Sequence, residues 1–210
     1  MGAFQYLTFT HPNICFSVNK ACQFMHAPTN SHWAVVKCIL CYLKGTVSHG
    51  LHITRSSFFA LHGFTDADFV IGGYLVFFGQ MLISWKSGKQ RTVARSSTEV
   101  EYKALADGIA EVIWLQYLLT DLRILSVSAP IIWFDNFGVT YLSANLVFHA
   151  HTKHVEVNYH FVRDRVAKKE IQIRFISSQD QLADVFTKPL PTASFTAFRF
   201  KLRVDPPPSA

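Results

Sequence analysis

Helical spacing of apolar residues dominates the first 50 residues of the chain. A helix is predicted over Ser31 to Leu43, because Ser31 is a suitable N-cap and Gly45 is a common stop signal. The apolar positions three or four residues apart within it are Trp33, Val36, Leu40 and Leu43. A second helix is predicted over Val18 to Met25. Two short helices bury too little surface to be stable alone, so we interpret this segment as the end of a larger unit.

Strand patterns begin at residue 51. Short runs of β-branched and aromatic residues predict strands over Leu51–Ile53, Phe58–Phe69, Tyr74–Phe78 and Leu82–Trp85. Gly72-Gly73 matches the two-residue turns that close β-hairpins, and Gly79-Gln80 separates the last two of these strands. The segment therefore predicts an antiparallel group of strands.

The longest predicted helix runs from about Ser97 to Leu122. Ser96-x-x-Glu99 is a capping box at its start. Its apolar stripe consists of Leu105, Val112, Leu115, Leu119 and Leu122. We expect this helix to pack its stripe on the sheet.

Strands and helices alternate in the rest of the chain. In order, the pattern predicts strand Ile131–Asp135, helix Gly138–Ser143, helix Val155–Lys168, strand Ile171–Ile176 and helix Gln181–Thr187. Strands followed by this alternation predict an α/β fold, with a mixed sheet and helices packed on it. Prolines at 189, 191 and 206–208 end the ordered part. We expect three segments: a helical one over 1–50, the mixed sheet over 51–190, and a Pro-rich tail over 191–210.

Composition favours a folded protein with an anionic partner. Half of the 210 residues are hydrophobic and 19 are Phe, which is far from the composition of a disordered chain. The formal charge of +6 favours nucleic acid as the partner, with a membrane surface second. An ordinary basic protein is the alternative that charge alone leaves open.

Membrane insertion and secretion are not expected. No apolar run reaches the roughly 18 residues of a spanning helix, and the first residues carry no signal-peptide pattern. The four cysteines form no dense disulfide pattern, so we expect an intracellular, reduced protein in the cytoplasm or nucleus. Cys38-x-x-Cys41 lacks a second ligand pair, which argues against structural zinc.

Four carboxylates lie where a two-metal nuclease would need them. The chain has only 14 Asp and Glu, and the four placed at ends of apolar segments or in helices are Asp66, Glu101, Asp135 and Asp184. Glu101 begins the apolar stripe of the long helix, where a carboxylate is costly unless it is paired or bound to metal. Phosphodiester cleavage by two divalent ions requires such converging carboxylates. A helix cap at Asp135 and a solvated position for Asp184 are the alternatives.

Several motifs resemble one family. The central ones are Leu82-Ile83-Ser84-Trp85-Lys86-Ser87, Ser96-Ser97-Thr98-Glu99-Val100-Glu101-Tyr102, Thr152-Lys153-His154-Val155-Glu156 and Gln181-Leu182-Ala183-Asp184-Val185-Phe186-Thr187-Lys188-Pro189-Leu190. They resemble the ribonuclease H domain of copia-type LTR retrotransposon polyproteins. Upstream, Phe4-Gln5-Tyr6-Leu7, His26-Ala27-Pro28 and Tyr42-Leu43-Lys44-Gly45-Thr46 resemble the end of the reverse transcriptase domain in the same polyprotein.

The resemblance implies a ribonuclease H-like fold and cleavage of the RNA strand in RNA–DNA hybrids. It implies two Mg²⁺ ions, replaceable by Mn²⁺, and no small-molecule cofactor. The metal-binding and catalytic positions that it carries over are Asp66, Glu101, Asp135 and Asp184. Candidates for contacts with the hybrid backbone are Lys153, His154, Arg163 and Arg165, for which a solvated helix face is the alternative. The rest of a reverse transcriptase is an implied partner, and a virus-like particle an implied location for an active element.

Zinc is not implied by the histidines of this region. His149, His151, His154 and His160 are close in sequence, but the family uses no zinc site there.

Departures from the family pattern raise a second hypothesis. Only Phe69-Val70-Ile71-Gly72 separates Asp68 from Gly73, whereas the family has a longer hairpin there. A shift of register by one residue would turn Asp66 to the other face of the sheet. Positions where the family usually has Arg or Asp are His11, Asn13, Cys38, Cys41, His151 and Asn158. We therefore keep as an alternative a decayed, inactive copy that folds and at most binds nucleic acid.

Overall fold

The chain divides into two compact units. The computed structural model describes residues 2–54, 59–90, 96–124, 128–136 and 153–206, with side chains of the last range from residue 157 onward. One unit comprises residues 1–53 and 188–210, and the other residues 54–187. The helix expected over Gly138–Ser143 lies outside the described residues, as do His149 and His151.

The first unit begins with three helices. They are α1 (Gly2–Leu7), α2 (Cys15–Cys22) and α3 (Asn30–Gly45), with a 3₁₀ turn at Pro12–Ile14 before α2. The helix predicted over Ser31–Leu43 is confirmed, whereas the one predicted over Val18–Met25 begins at Cys15 and ends at Cys22. The N-cap of α3 is Thr29 rather than Ser31, because the Thr29 and His32 side chains form a reciprocal capping box. Buried Ile14, Val18, Ala21 and Ile39 form the core of this unit.

The prediction of a Pro-rich tail over 191–210 is wrong for residues 192–205. Strand β1 (Gly50–Leu51) pairs antiparallel with a strand at Val204–Asp205, and a helix occupies Thr192–Lys201. Pro191 is the N-cap of that helix, a place where proline obstructs no helical hydrogen bond. Apolar burial of Phe198, Leu202 and Val204 holds the segment in the fold.

The second unit contains a five-stranded mixed sheet. Its strands are β2 (Leu61–Ala67), β3 (Ile71–Phe78), β4 (Met81–Lys89), β5 (Ile131–Phe134) and β6 (Gln172–Phe175). Their order in the sheet is β4-β3-β2-β5-β6. β3 is antiparallel to both of its neighbours, β2 and β4, whereas β5 is parallel to β2 and to β6. The expected mixed sheet, with antiparallel first strands, is confirmed.

Helix α4 (Ser97–Asp121) covers one face of this sheet. Its N-cap is Ser96, whose side chain accepts from the Glu99 amide, as predicted. The core beneath it includes Leu61, Val76, Leu105, Ile109, Val112 and Ile132. Gly108 lets the helix approach closely, because a Cβ there would overlap the Thr65 side chain. Helix α5 (Lys153–Ala167) packs against α4, with the Tyr102 and Tyr159 ring centroids 5.6 Å apart.

The turn predicted at Gly72-Gly73 is wrong. The β2–β3 hairpin turns instead at Phe69-Val70, where the Asp68 amide donates to the Ile71 carbonyl at 2.8 Å. Both glycines lie in β3, with Gly72 opposite Ala67 and Gly73 opposite Asp66. Neither has a positive φ, which among the glycines of the described residues is found at Gly79. Gly73 instead leaves room for Phe186 and Thr187. Gly79 forms the β3–β4 turn, as expected.

Within the described ranges, no helix is both long and apolar enough to cross a membrane.

Candidate metal centre

Three aspartates converge at one edge of the mixed sheet. Asp66 lies near the end of β2, Asp135 directly follows β5, and Asp184 begins the short helix α6 (Asp184–Thr187). One carboxylate oxygen from each lies within 4.8 Å of those of the other two. Asp66 and Asp184 are buried, with 5% and 8% exposure, and Asp135 is half-buried. Three negative charges this close are unfavourable unless a cation neutralises them.

Sheet topology explains why Asp66 and Asp135 meet. β2 and β5 are parallel neighbours, paired from His62–Ile131 to Phe64–Trp133. The carboxyl ends of such strands share one edge of the sheet, where ligands of α/β proteins commonly bind. The two aspartates follow the last paired residues by two positions each, so both project from that edge.

Hydroxyl groups donate hydrogen bonds to Asp66 and Asp135. The Thr187 hydroxyl, in the last residue of α6, donates to Asp66 Oδ2. The Ser178 hydroxyl donates to Asp135 Oδ2 at 3.1 Å. The protein itself therefore orients the carboxylates of Asp66 and Asp135.

Gln181 is a buried polar residue that the sequence did not identify. It is 0% exposed, and its Nε2 donates to the Thr65 carbonyl at 3.0 Å. Its Oε1 accepts from the Ala183 amide at 3.3 Å. The side chain therefore joins the residue before Asp66 to the residue before Asp184. A buried glutamine in an apolar segment has no periodic signal that would mark it.

Glu101 was predicted with the three aspartates but lies outside their 4.8 Å group. Its Oε2 accepts from Asn136 Nδ2 at 2.6 Å. Asn136 directly follows Asp135, so the contact holds Glu101 next to the cluster. Glu101 is half-buried in the first turns of α4, on the side of the helix expected from its stripe.

The shortened hairpin leaves Asp66 in the cluster. The β2–β3 pairing runs without a register shift from Leu61–Phe78 to Ala67–Gly72. Asp68, two residues beyond Asp66, binds the Phe69 amide through Oδ1 at 2.6 Å and belongs to the turn. In these described strands, Asp66 is therefore not turned to the other face of the sheet, as a register shift of one residue would require.

Of the four basic residues predicted to contact the hybrid, the structure describes the side chains of Arg163 and Arg165. Arg165 forms an ion pair with Glu170 at 2.6 Å and lies over the Phe161 ring. The Glu170 contact raises the pKa of Arg165 and lowers the pKa of Glu170. Arg163 lies over the Tyr159 ring. The side chains of Lys153 and His154 lie outside the described residues.

A cavity of about 470 Å³ with three lysines lies between β3, β4 and the first half of α4. Its basic residues are Lys86, Lys89 and Lys103. Lys86 is 3.7 Å from Asp107 and lies over the Tyr74 ring. The sequence did not single out these lysines as phosphate contacts, because Lys103 is far along the chain from Lys86 and Lys89.

Comparison with known proteins places this chain among transposon proteins. No family model matches it. It is 42% identical to the retrovirus-related Pol polyprotein from transposon RE2 of Arabidopsis thaliana over 218 residues. It is 43% identical over the same length to the corresponding polyprotein from transposon RE1 of that plant. Both alignments cover 100% of this chain and 15% of the relative, so the chain spans a small part of the curated relatives it matches.

Solved structures with a similar backbone fold include an RNase H domain. The N-terminal RNase H domain of a Mycobacterium tuberculosis protein, solved as a fusion with maltose binding protein, has a TM-score of 0.46 and 12% identity. The match covers 68% of this chain and 97% of that one.

Proposed function

Because this chain belongs to the family of retrovirus-related Pol polyproteins of transposons, we propose that it hydrolyses the RNA strand of RNA–DNA hybrids. The observation that carries this proposal is the convergence of Asp66, Asp135 and Asp184 at the carboxyl edge of the sheet. A ribonuclease H-like sheet within a transposon Pol polyprotein supports a hydrolase that acts on nucleic acid.

The donor set is compatible with divalent metal that prefers oxygen ligands, and we propose that two ions bind. All three groups are carboxylates, the ligands that Mg²⁺ prefers, and Mn²⁺ accepts the same ligands. When bound, two such ions activate the attacking water and stabilise the leaving oxygen of a phosphodiester. The burial of Asp66 and Asp184 in this edge supports a cation there, since buried carboxylates are costly without one.

Each acidic residue has a proposed part in the site. Asp66 and Asp135 lie on rigid strand ends and are proposed to hold the ions jointly. Asp184, brought in by α6, is proposed to complete one coordination sphere. Glu101 is proposed to complete the other, and the 2.6 Å contact from Asn136 keeps its carboxylate beside Asp135. The protein thereby orients the ligands without rearranging the strands.

The proposed substrate is the backbone of a hybrid duplex. The net charge of +6 favours a polyanion, and phosphate contacts supply most of the affinity of such complexes. Lys86, Lys89 and Lys103 join Arg163 as candidate phosphate contacts, while Arg165 is largely neutralised by Glu170. Hybrid geometry and 2′-hydroxyls, rather than base sequence, would be recognised. Residues 1–50 are proposed to be the end of a reverse transcriptase domain, with the rest of that enzyme as partner.

A second candidate is an inactive copy that folds and binds nucleic acid without cutting it. The observation that favours it is length: each alignment extends over 218 residues, against 210 in this chain. A chain that has lost residues, as the short Asp68–Gly73 connection suggests, would align in this way. Retention of Asp66 in the cluster argues for the first candidate.

A cleavage assay separates the two candidates. Purified protein with Mg²⁺ or Mn²⁺ is expected to cut the labelled RNA strand of a hybrid, leaving the DNA strand and double-stranded RNA intact. EDTA and Asp135→Asn should each abolish cutting. Well-folded wild-type protein that binds the hybrid but leaves its RNA whole in both metals would establish the inactive copy.

A further inference from the structure

One turn of helix brings Asp184 to the metal centre. α6 has four residues, all of them buried. A helix of one turn is not stable by itself in water, because nucleation costs more than its few hydrogen bonds return. Tertiary contacts therefore determine where Asp184 lies relative to Asp66 and Asp135.

The first of these contacts is a hydrogen bond from the Gln181 side chain to the backbone of β2. Pairing between β2 and β5 ends at Phe64, and the carbonyl of the next residue, Thr65, accepts from Gln181 Nε2 at 3.0 Å. The other end of the same carboxamide accepts from the Ala183 amide. A fully buried carboxamide with both ends bonded has one defined orientation. Gln181 thus sets the start of α6 against the strand that carries Asp66.

The second contact comes from the other end of α6. Thr187 is 1% exposed, and its hydroxyl donates to Asp66 Oδ2. Thr187 Oγ1 also lies 3.5 Å from the carbonyl oxygens of Ala183 and Asp184. A hydroxyl has one proton to donate. That bond fixes the plane of the Asp66 carboxylate and hence the direction of its other oxygen.

We propose that Gln181 and Thr187 are positioning residues for the divalent-ion site. Gln181 fixes the backbone on which Asp184 begins, and Thr187 fixes the carboxylate of Asp66. Partners of this kind, one shell away from the ion, commonly change metal affinity or activity roughly 10- to 100-fold when removed. The inference rests on the proposed function in one respect, since both require a divalent ion at the aspartates.

A purely structural role makes a different prediction. If Gln181 and Thr187 only hold α6 in the core, their loss lowers the stability of the folded chain and leaves ion affinity unchanged. The same variants must therefore be measured twice: for Mn²⁺ affinity, and, in the presence of EDTA, for thermal stability. Thr187→Val removes the hydroxyl at nearly constant size, and Thr187→Ser restores it. Gln181→Met removes both hydrogen bonds from the other end of α6.

The test is Mn²⁺ binding to the full chain, measured by calorimetry. Thr187→Val and Gln181→Met are expected to bind Mn²⁺ roughly 10- to 100-fold more weakly than wild type, and Thr187→Ser close to wild type. Melting in EDTA confirms that each variant is folded. Folded Thr187→Val and Gln181→Met with wild-type affinity would overturn the inference.

Failure of the proposed function gives different results. Wild type that binds no Mn²⁺ overturns both the metal-dependent function and the positioning role. Wild type that binds Mn²⁺ but cuts no hybrid overturns the function alone, and weaker binding by Thr187→Val then still supports the positioning role.

Discussion

Gly73 on β3 is paired with Asp66 on β2, and residues of α6 occupy the space that a side chain at Gly73 would need. A Cβ at Gly73 would lie 2.7 Å from Phe186 Cβ and 3.1 Å from Thr187 Cγ2. Contacts this short require α6 to move, because the nearest atom is next to the backbone. The strand that carries Asp66 and the helix that carries Asp184 therefore meet through a glycine.

Gly73→Ala is expected to displace α6 and weaken the site. Overpacking of this kind costs about 1–3 kcal/mol of unfolding free energy, and hybrid cleavage should fall along with Mn²⁺ affinity. Urea unfolding and calorimetry measure the two effects. Gly72→Ala is the matched control, since the nearest atom to its Cβ is 3.5 Å away in the Gln90 side chain. Equal effects of the two substitutions would contradict a specific role for Gly73.

Glu101→Gln separates two roles of Glu101. Glutamine retains an oxygen that can accept from Asn136, so the free energy of unfolding should change little. The negative charge is lost, and cleavage should fall by two orders of magnitude or more, by analogy with the loss of one charge-stabilising group at an active site, about 10²–10³-fold. Denaturation and single-turnover cleavage provide the comparison. A variant as active as wild type would reduce Glu101 to a hydrogen-bond partner of Asn136.

His62, on β2, gives a pH dependence of stability. Burial, followed by the charge of Arg174, lowers its pKa from the ordinary 6.5. The unfolded chain therefore takes up a proton on His62 more readily than the folded chain. The stability that the folded chain has with neutral His62 is fully present above pH 6.5. It is lost as the pH falls from 6.5 towards the pKa of His62 in the folded chain. Wild type should lose more stability than His62→Gln between pH 7 and pH 5, as measured by urea unfolding. Parallel pH profiles would contradict this assignment.

Elements with a long periodic signal were predictable from the sequence. The cap hydrogen bond between Ser96 and the Glu99 amide follows from a local preference, as does the buried stripe of α4 at Leu105, Val112 and Leu115, and tertiary packing reinforces both. The alternation of strands and helices gave the mixed sheet for the same reason. Asp66, Asp135 and Asp184 were identifiable because each terminates or begins such an element.

Features that depend on contacts between distant residues were not predictable. Gly72-Gly73 has the composition of a turn, yet both residues lie in β3, and at Gly73 the missing Cβ leaves room for Phe186 and Thr187. Pro191 suggested an end to order but caps a helix. The hydrogen bond from Gln181 to Thr65 joins positions 116 residues apart, and nothing local in the sequence indicates it.

The central claim is that the chain cuts hybrids with an aspartate cluster that includes Asp66. Asp66 and Asp68 are two residues apart on the same hairpin, but Asp66 belongs to the cluster and Asp68 to the turn. Cleavage of the RNA strand by wild type, Asp66→Asn and Asp68→Asn, in Mg²⁺ and on folded protein, tests this directly. Cutting by wild type and Asp68→Asn, with none by Asp66→Asn, is the predicted result. Undiminished cutting by Asp66→Asn would contradict the account.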